Sequence, residues 1–203
     1  MTVDSRNTNA YTEEAAQYAQ AFANQAASAI QISRLFSQLQ SLALTDPLTG
    51  AINRRQFFEF ATQIVAKAKR DNQTVSAIMI DVDNYKKVND THGHTTGDKV
   101  LRSLSLMLTR RLRRTDIIGR YGGEEFIIIF PNTTKETALA LMNEMRESFA
   151  QIVHVTDGVE FHVTFSCGIA AFPEEKSPLA LSEAADRAMY IAKRQGRNQV
   201  VMA

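Results

Sequence analysis

The chain has a single cysteine, so no internal disulfide can brace it, and Cys167, within the apolar run 163–171, reads as a buried reduced thiol. No apolar stretch approaches the roughly 20 residues a bilayer requires, which excludes a membrane-spanning helix. Met1 is not followed by a basic region and an apolar segment, so no signal peptide is visible and the expected compartment is the cytoplasm. An excess of one charge is also missing, since 23 Lys and Arg stand against 22 Asp and Glu. Without a global positive field, and without paired aromatics near the arginines at 110–114, a nucleic-acid partner is excluded. Any anionic ligand must be held by local groups. What is present is 203 residues with 44% hydrophobic content, enough for one domain of ordinary size plus an extension.

Glycine and proline are absent from Thr12 to Ala43, alanine is frequent, and Thr12 with Glu13 and Glu14 supplies an N-cap followed by first-turn acids. This predicts one long helix of roughly 45 Å at 1.5 Å per residue. Ile32, Leu35, Leu39 and Leu42 trace a short coiled-coil seam, while Phe22, Ala26 and Ile30 form a stripe nearer 3.6 periodicity. A helix this long cannot bury its apolar face alone, so it either pairs with another helix or packs on the domain that follows. Residues 1–10 are polar and patternless and are expected to fray.

Thr45-Asp46-Pro47-Leu48-Thr49-Gly50 breaks the helix and marks the boundary between an extension, 1–44, and a domain, 45–203. An amphipathic helix is expected from Ile52 to about Arg70, with Phe57, Phe60, Ile64 and Val65 inward, then a turn at 71–73 and a strand from Val75 to Asp81. That strand is apolar on both faces and reads as central. A polar loop at 84–97 precedes a helix from Asp98 to Arg114, and a hairpin with a two-residue Gly122-Gly123 loop follows. A helix from Thr134 to about Val153, a strand from Phe161 to Ala171, a helix from Pro178 to Gln195 and an edge strand at 199–201 complete the chain. The expected fold class is an α/β (α+β) sandwich with a mixed central sheet and helices on both faces.

Asp81 ends a buried strand, where open α/β sheets put ligands, and Asp83, two residues on, can share its face. Glu124 and Glu125 open the second hairpin strand, and neighbouring strand side chains point to opposite faces, so only one of them faces a given ligand. If the hairpin pairs with the Val75 to Asp81 strand, Asp81 and Glu124 become neighbours. Two hard carboxylates and a backbone carbonyl suit Mg²⁺, which takes few protein ligands and completes its octahedron with water and phosphates. Asn89 and Asp98 offer an amide and a carboxylate to a base edge, and Lys86, Lys193 and Arg197 can neutralise phosphates. Singly, each is more commonly a solvated polar residue. In combination they point to nucleotide chemistry.

Several blocks in order carry a resemblance. They are Thr45 to Gly50 with Asn53-Arg54-Arg55, Asp81-Val82-Asp83 with Lys86, Asn89 and Asp90, Gly93-His94 with Gly97-Asp98, Gly122-Gly123-Glu124-Glu125-Phe126, and Ala185-Asp186 through Tyr190, Lys193, Gly196, Arg197 and Asn198. Over about 45–203 the sequence resembles the GGDEF family of diguanylate cyclases, in its GGEEF variant. The family condenses two GTP into cyclic di-GMP with release of two pyrophosphates, on a fold like adenylyl cyclase and polymerase palm domains. The helical stretch 22–30 is similar to the closing helix of GAF sensor domains, with the sensor itself expected to be absent.

The resemblance implies that Asp81, the Val82 carbonyl and Glu124 hold Mg²⁺ (or Mn²⁺). Asn89 and Asp98 would read guanine, with His94 lining the same pocket, because an ionised carboxylate accepts from guanine N1–H and the 2-amino group while adenine presents an acceptor at N1. Lys86, Lys193 and Arg197 would take the triphosphate and the charge developing on pyrophosphate. Glu124 is the first candidate for removing the 3′-hydroxyl proton and Glu125 the alternative, although strand alternation turns Glu125 away. A two-fold product implies one GTP on each half of a homodimer, which the long helix could assemble. Arg113 and Asp116 fit the family's Arg-x-x-Asp product-inhibition site, with Arg146 as a further contact. Glu124 in place of Asp, Tyr85, His92 and Ala51 are departures that remove no needed charge or donor. A degenerate domain acting as a GTP or cyclic di-GMP receptor is the alternative, and the retained Gly122, Gly123, Glu124 and Asp81 argue against it.

Overall fold

The computed structural model describes residues 12–42 and 44–203, and the chain divides into two units, Met1–Ala43 and Leu44–Ala203. The first contains helix α1 (Glu13–Leu42). The Thr12 hydroxyl accepts from the Ala15 N–H at 3.2 Å, and Glu13 and Glu14 sit at the positive end of the helix dipole. Ala43, the fraying expected at 1–10 and the side chains of Leu39 and Leu42 in the expected seam lie outside the described residues. None of the described helices is long and apolar enough to cross a membrane.

The second unit runs β1 (Ile52–Asn53), α2 (Arg54–Asp71), β2 (Val75–Val82), α3 (Tyr85–His92), α4 (His94–Arg111), β3 (Ile117–Arg120), β4 (Glu125–Pro131), α5 (Lys135–Ala150), β5 (His154–Thr156), β6 (Val159–Phe161), β7 (Phe165–Phe172), α6 (Pro178–Arg194), β8 (Val200–Met202). Six strands form one mixed sheet in the order β1-β3-β4-β2-β7-β8. β2 lies between two antiparallel neighbours, and the parallel pairs β1–β3 and β7–β8 close the two edges. All eight residues of β2 are buried, which explains why its sequence does not alternate. Ile78, Ile80 and Val82 pack in a core with Leu101, Leu104 and Phe149, whereas Ala77 and Met79 pack with Phe57, Leu181 and Ala185. The mixed sheet with helices on both faces is the fold class expected from sequence.

Local chemistry moves several boundaries. Helix α2 starts at Arg54, not Ile52, because the Asn53 side chain accepts from the Gln56 N–H at 2.8 Å while Ile52 and Asn53 pair with Gly119 and Arg120. Phe57 and Val65 face inward as expected, but Phe60 is 37% exposed. The expected loop 84–97 is helical, α3 and the first turn of α4 meeting at Gly93 with φ +79°. Helix α4 ends at Arg111, leaving Arg113 and Arg114 in the turn beyond it. The strand expected at 161–171 is split: β6 ends at Phe161, pairs with β5 around Asp157 and Gly158, both at positive φ, and β7 begins at Phe165. Gly168 lets α6 lie directly on β7, since a Cβ there would stand 2.0 Å from the Ala185 carbonyl oxygen.

Candidate active site at the carboxyl end of β2

The β2–β4 register places Asp81 opposite Glu125, and the Val82 N–H reaches the Glu124 carbonyl at 3.4 Å. Directly opposed residues of an antiparallel pair share a face. Glu125 is therefore the cross-strand neighbour of Asp81, which corrects the expectation that alternation turns it away. The hairpin loop has three residues, Gly122-Gly123-Glu124, closed by the Tyr121 N–H to the Glu125 carbonyl at 2.8 Å. Glu124 thus sits in the turn, where the pleat does not dictate its direction. Asp81 is buried, and Lys193 on α6 brings its Nζ to 2.6 Å from Oδ2. Burial raises the Asp81 carboxyl to about 6, with Glu124 and Glu125 adding to the rise and Lys193 opposing it. Burial also raises Glu125, Asp186 and Glu124 contributing, against Lys193 and Arg54. The end of β2 is a concentration of carboxylates with Lys193 set among them.

Arg120 fixes the turn. Its Nε and Nη2 donate to the Gly123 carbonyl at 3.1 and 2.6 Å, Nε also to the Gly122 carbonyl at 3.2 Å, and Nη1 meets both carboxylate oxygens of Asp46 at 3.0 and 3.1 Å. Asp46 also accepts from the Thr49 N–H and hydroxyl at 2.9 and 2.7 Å. Burial works against ionisation of Asp46, but the Thr49 donors and the Arg120 guanidinium outweigh it and hold the carboxyl below its ordinary value. The boundary segment at 45–50 is therefore a buttress of the glycine turn.

The α3–α4 bend supplies the other wall. Asn89 on α3 buries its Oδ1, with no hydrogen-bond partner, against Gly97 on α4. Burial raises the Tyr85 phenol; Asn89 and Arg120 act to lower it, while Asp98 and Glu124 raise it further. One hydroxyl thus feels residues from α3, α4, β3 and the turn. Asp98 is half-buried, and His94 and Lys86 are exposed on α4 and α3. Arg197 is exposed just past α6, in the left-handed region at φ +67°.

The sequence pattern described as "Diguanylate cyclase, GGDEF domain" matches residues 43–199. The chain belongs to the GGDEF family. It is similar to diguanylate cyclase DgcP of Pseudomonas aeruginosa, 40% identical over 171 residues that cover 84% of this chain and 25% of that protein. It is also similar to the response regulator PleD of Caulobacter vibrioides, 42% identical over 79% of this chain and 36% of that one. The chain thus spans well under two thirds of either relative. Among solved structures, the GGDEF domain of DgcB from Caulobacter crescentus in complex with c-di-GMP superposes with a TM-score of 0.76 at 32% identity, covering 79% of this chain and 95% of that one.

Other residues named from sequence take different places in this GGDEF domain. Asp83 is committed to the framework: the Thr164 and Ser166 hydroxyls and the Asn198 N–H donate to it at 2.6, 2.7 and 3.0 Å, tying β2 to β7 and to the turn before β8. Arg146 donates to Asn198 at 2.9 Å and belongs to the same framework. Arg113 and Asp116 form a local turn, with the Arg113 N–H donating to Asp116 Oδ2 at 2.8 Å and the Arg113 side chain exposed. Among the described residues no three His, Cys, Asp or Glu side chains stand close enough to hold a metal ion by themselves. A hard cation bound by Asp81, the Val82 carbonyl and Glu124 would complete its shell from water and phosphate, which suits the carboxylate-rich donor set here. Sequence reasoning did not pair Arg120 with Asp46, quoted Asp186 without giving it a role, and treated Tyr85 only as a neutral departure. Arg120 adjoins the glycine turn, the one available signal.

Proposed function

We propose that this GGDEF domain is a diguanylate cyclase that condenses two GTP into cyclic di-GMP and releases two pyrophosphates. The observation that carries the reading is convergence: Asn89, Asp98, Arg120 and Glu124 all bear on the Tyr85 hydroxyl, Asn89 by a hydrogen bond and the others by charge, and Glu124 also acts on Asp81. Base-reading groups and phosphate-side carboxylates therefore share one place. Asp81, the Val82 carbonyl and Glu124 would hold Mg²⁺ or Mn²⁺, which when bound supplies neutralisation of the triphosphate charge. Asp98 accepts from guanine N1–H and the 2-amino group, and Asn89 supplies the amide. His94 lines the base pocket. Lys86 and Arg197, both exposed, meet the phosphates from the solvent side, and Lys193 exchanges its carboxylate partner for phosphate as nucleotide enters.

In the reaction the 3′-oxygen of one GTP forms a bond to the α-phosphorus of the other, and the bond from that phosphorus to the pyrophosphate oxygen breaks in line. The 3′-hydroxyl proton passes to a carboxylate, Glu124 first, with Glu125 as the alternative. The raised affinity of Glu125 for a proton suits that role. Two domains, each holding one GTP, face one another across a two-fold axis, and α1 brings them together. Arg113 and Asp116, exposed and half-buried at the turn before β3, bind product and restrain the enzyme. A cytoplasmic setting, where GTP is available, accompanies this reading. Incubating the protein with GTP and Mg²⁺ and resolving the products by chromatography tests it. Cyclic di-GMP and pyrophosphate in a 1:2 ratio are expected, and protein that binds GTP yet makes no product at any concentration would leave a receptor in place of an enzyme.

A further inference from the structure

We infer that the β5–β6 hairpin braces the α3–α4 bend, and that His92, stacked on Phe161, is a positioning residue for the reading of guanine. The inference rests on reading this place as a GTP site, with Asn89 on α3 and Asp98 on α4 as its base readers. Those two side chains come from helices joined through Gly93, at φ +79°, where an added Cβ would meet open space. A glycine in that region is conformationally permissive. Helix α3 has no buried residue, and Tyr85 and Val88, which lean on the core, belong to its N-terminal half. The C-terminal half, which carries Asn89, must be held from outside.

The hairpin touches both helices next to their readers. The His92 ring, three residues after Asn89, stacks on Phe161 of β6 with centroids 4.2 Å apart and planes 10° from parallel. The Thr96 hydroxyl, two residues before Asp98, lies 3.2 Å from the Thr156 hydroxyl of β5. His154 pairs with Phe161 across the hairpin, so both contacts belong to one ribbon. The ribbon is itself rooted: the His154 ring lies 5.5 Å from Phe161 and 6.0 Å from Phe149 between centroids, and Phe149 of α5 is fully buried. A row of four rings, His92, Phe161, His154 and Phe149, thus runs from the last turn of α3 into the core. Asn89 and Asp98 can engage one base together only at a fixed separation, which the brace selects. Without the stack the bend spends part of its time at other angles, and apparent affinity falls with the competent fraction.

Calorimetry on the full chain with 3′-deoxy-GTP, which has no attacking hydroxyl and so binds without turnover, tests the brace. His92→Ala should weaken binding about three- to tenfold, the scale of one aromatic pair, while kcat at saturating GTP stays within about twofold of wild type. His92→Tyr, which keeps a flat ring, should bind within about twofold of wild type, and His92→Leu, which has bulk but no ring, should not recover. Thr156→Val removes the hydroxyl contact to α4 and should weaken binding about two- to fivefold. Wild type should prefer 3′-deoxy-GTP over 3′-deoxy-ITP, which lacks only the 2-amino group that Asp98 reads. In His92→Ala that preference should shrink, because the two readers no longer meet the base together. A merely structural histidine would lower the melting temperature and leave the preference as it is. Unchanged affinity and preference in His92→Ala overturn the inference while leaving the cyclase reading intact. The expected affinities from protein that makes no cyclic di-GMP would support the brace and overturn the cyclase reading. Wild-type protein that binds neither nucleotide overturns both.

Discussion

Replacing Arg120 by alanine should be the most damaging single truncation near the site that leaves every side chain proposed to contact nucleotide in place. The Arg120 and Asp46 side chains are only 17% and 18% exposed, and the guanidinium makes contacts to both Asp46 oxygens and to the Gly122 and Gly123 carbonyls. Removing one member of a buried ion pair costs about 3–5 kcal/mol because its partner is left uncompensated. Here the pair keeps some water contact and Thr49 still donates to Asp46, so the low end, about 3 kcal/mol, is appropriate. At about 2–4 °C per kcal/mol for a domain of this size, the melting temperature should fall roughly 6–12 °C. Arg120→Lys keeps the charge but not the forked geometry, and should recover less than half of the loss. Scanning calorimetry on the three proteins gives the comparison. An Arg120→Ala protein melting within about 2 °C of wild type would refute the assignment of the pair as the buttress of the glycine turn.

Gly168→Ala should destabilise by about 3 kcal/mol or more, since its Cβ would meet the Ala185 carbonyl and Met189 N–H of α6, backbone that cannot step aside; denaturant midpoints measure it, and a shift under about 0.5 kcal/mol would contradict the close β7–α6 approach. His154 is held below the ordinary imidazole value by burial, with His162 adding repulsion, so the unfolded chain takes up the proton first as pH falls. Stability from this group is full above about pH 6.5 and declines below it, and His154→Phe should flatten the fall in urea midpoint between pH 7.5 and 5.5; identical slopes would exclude His154 as a cause. Burial pushes the Cys167 thiol far up, so an aromatic disulfide reagent should leave native protein unmodified and label it only in denaturant, whereas rapid native labelling would contradict the packed centre of β7.

The elements legible in the sequence are those whose side chains build the core. β2 announced itself by being apolar at every position, and α4 by Val100, Leu101, Leu104 and Leu108, all buried. Helix α3 has no buried residue and therefore no apolar stripe, so its sequence was indistinguishable from a polar loop. The β5–β6 hairpin escaped for a similar reason: Val155 and Val159 are exposed and each strand has three residues, although Asp157-Gly158 was a turn signal within reach. Asp81 and Glu124 were singled out through strand-end logic and family resemblance. Register could not be found that way. It is set by how β2 and β4, strands distant in sequence, pair in the sheet, and that pairing put Glu125 on the face of Asp81. Asp83 and Arg120 owe their roles to partners 81 and 74 residues away, which no local pattern encodes.

The central claim is that Asp81 and Glu124 form the phosphate-side half of a cyclase site. Steady-state formation of cyclic di-GMP by wild type, Asp81→Asn and Glu124→Gln, each checked for an unchanged melting temperature, tests it most directly. Both variants should lose on the order of 100-fold or more in kcat, the scale of removing one preorganised electrostatic group, while still binding GTP through Asn89 and Asp98. Full turnover in either variant would contradict the account.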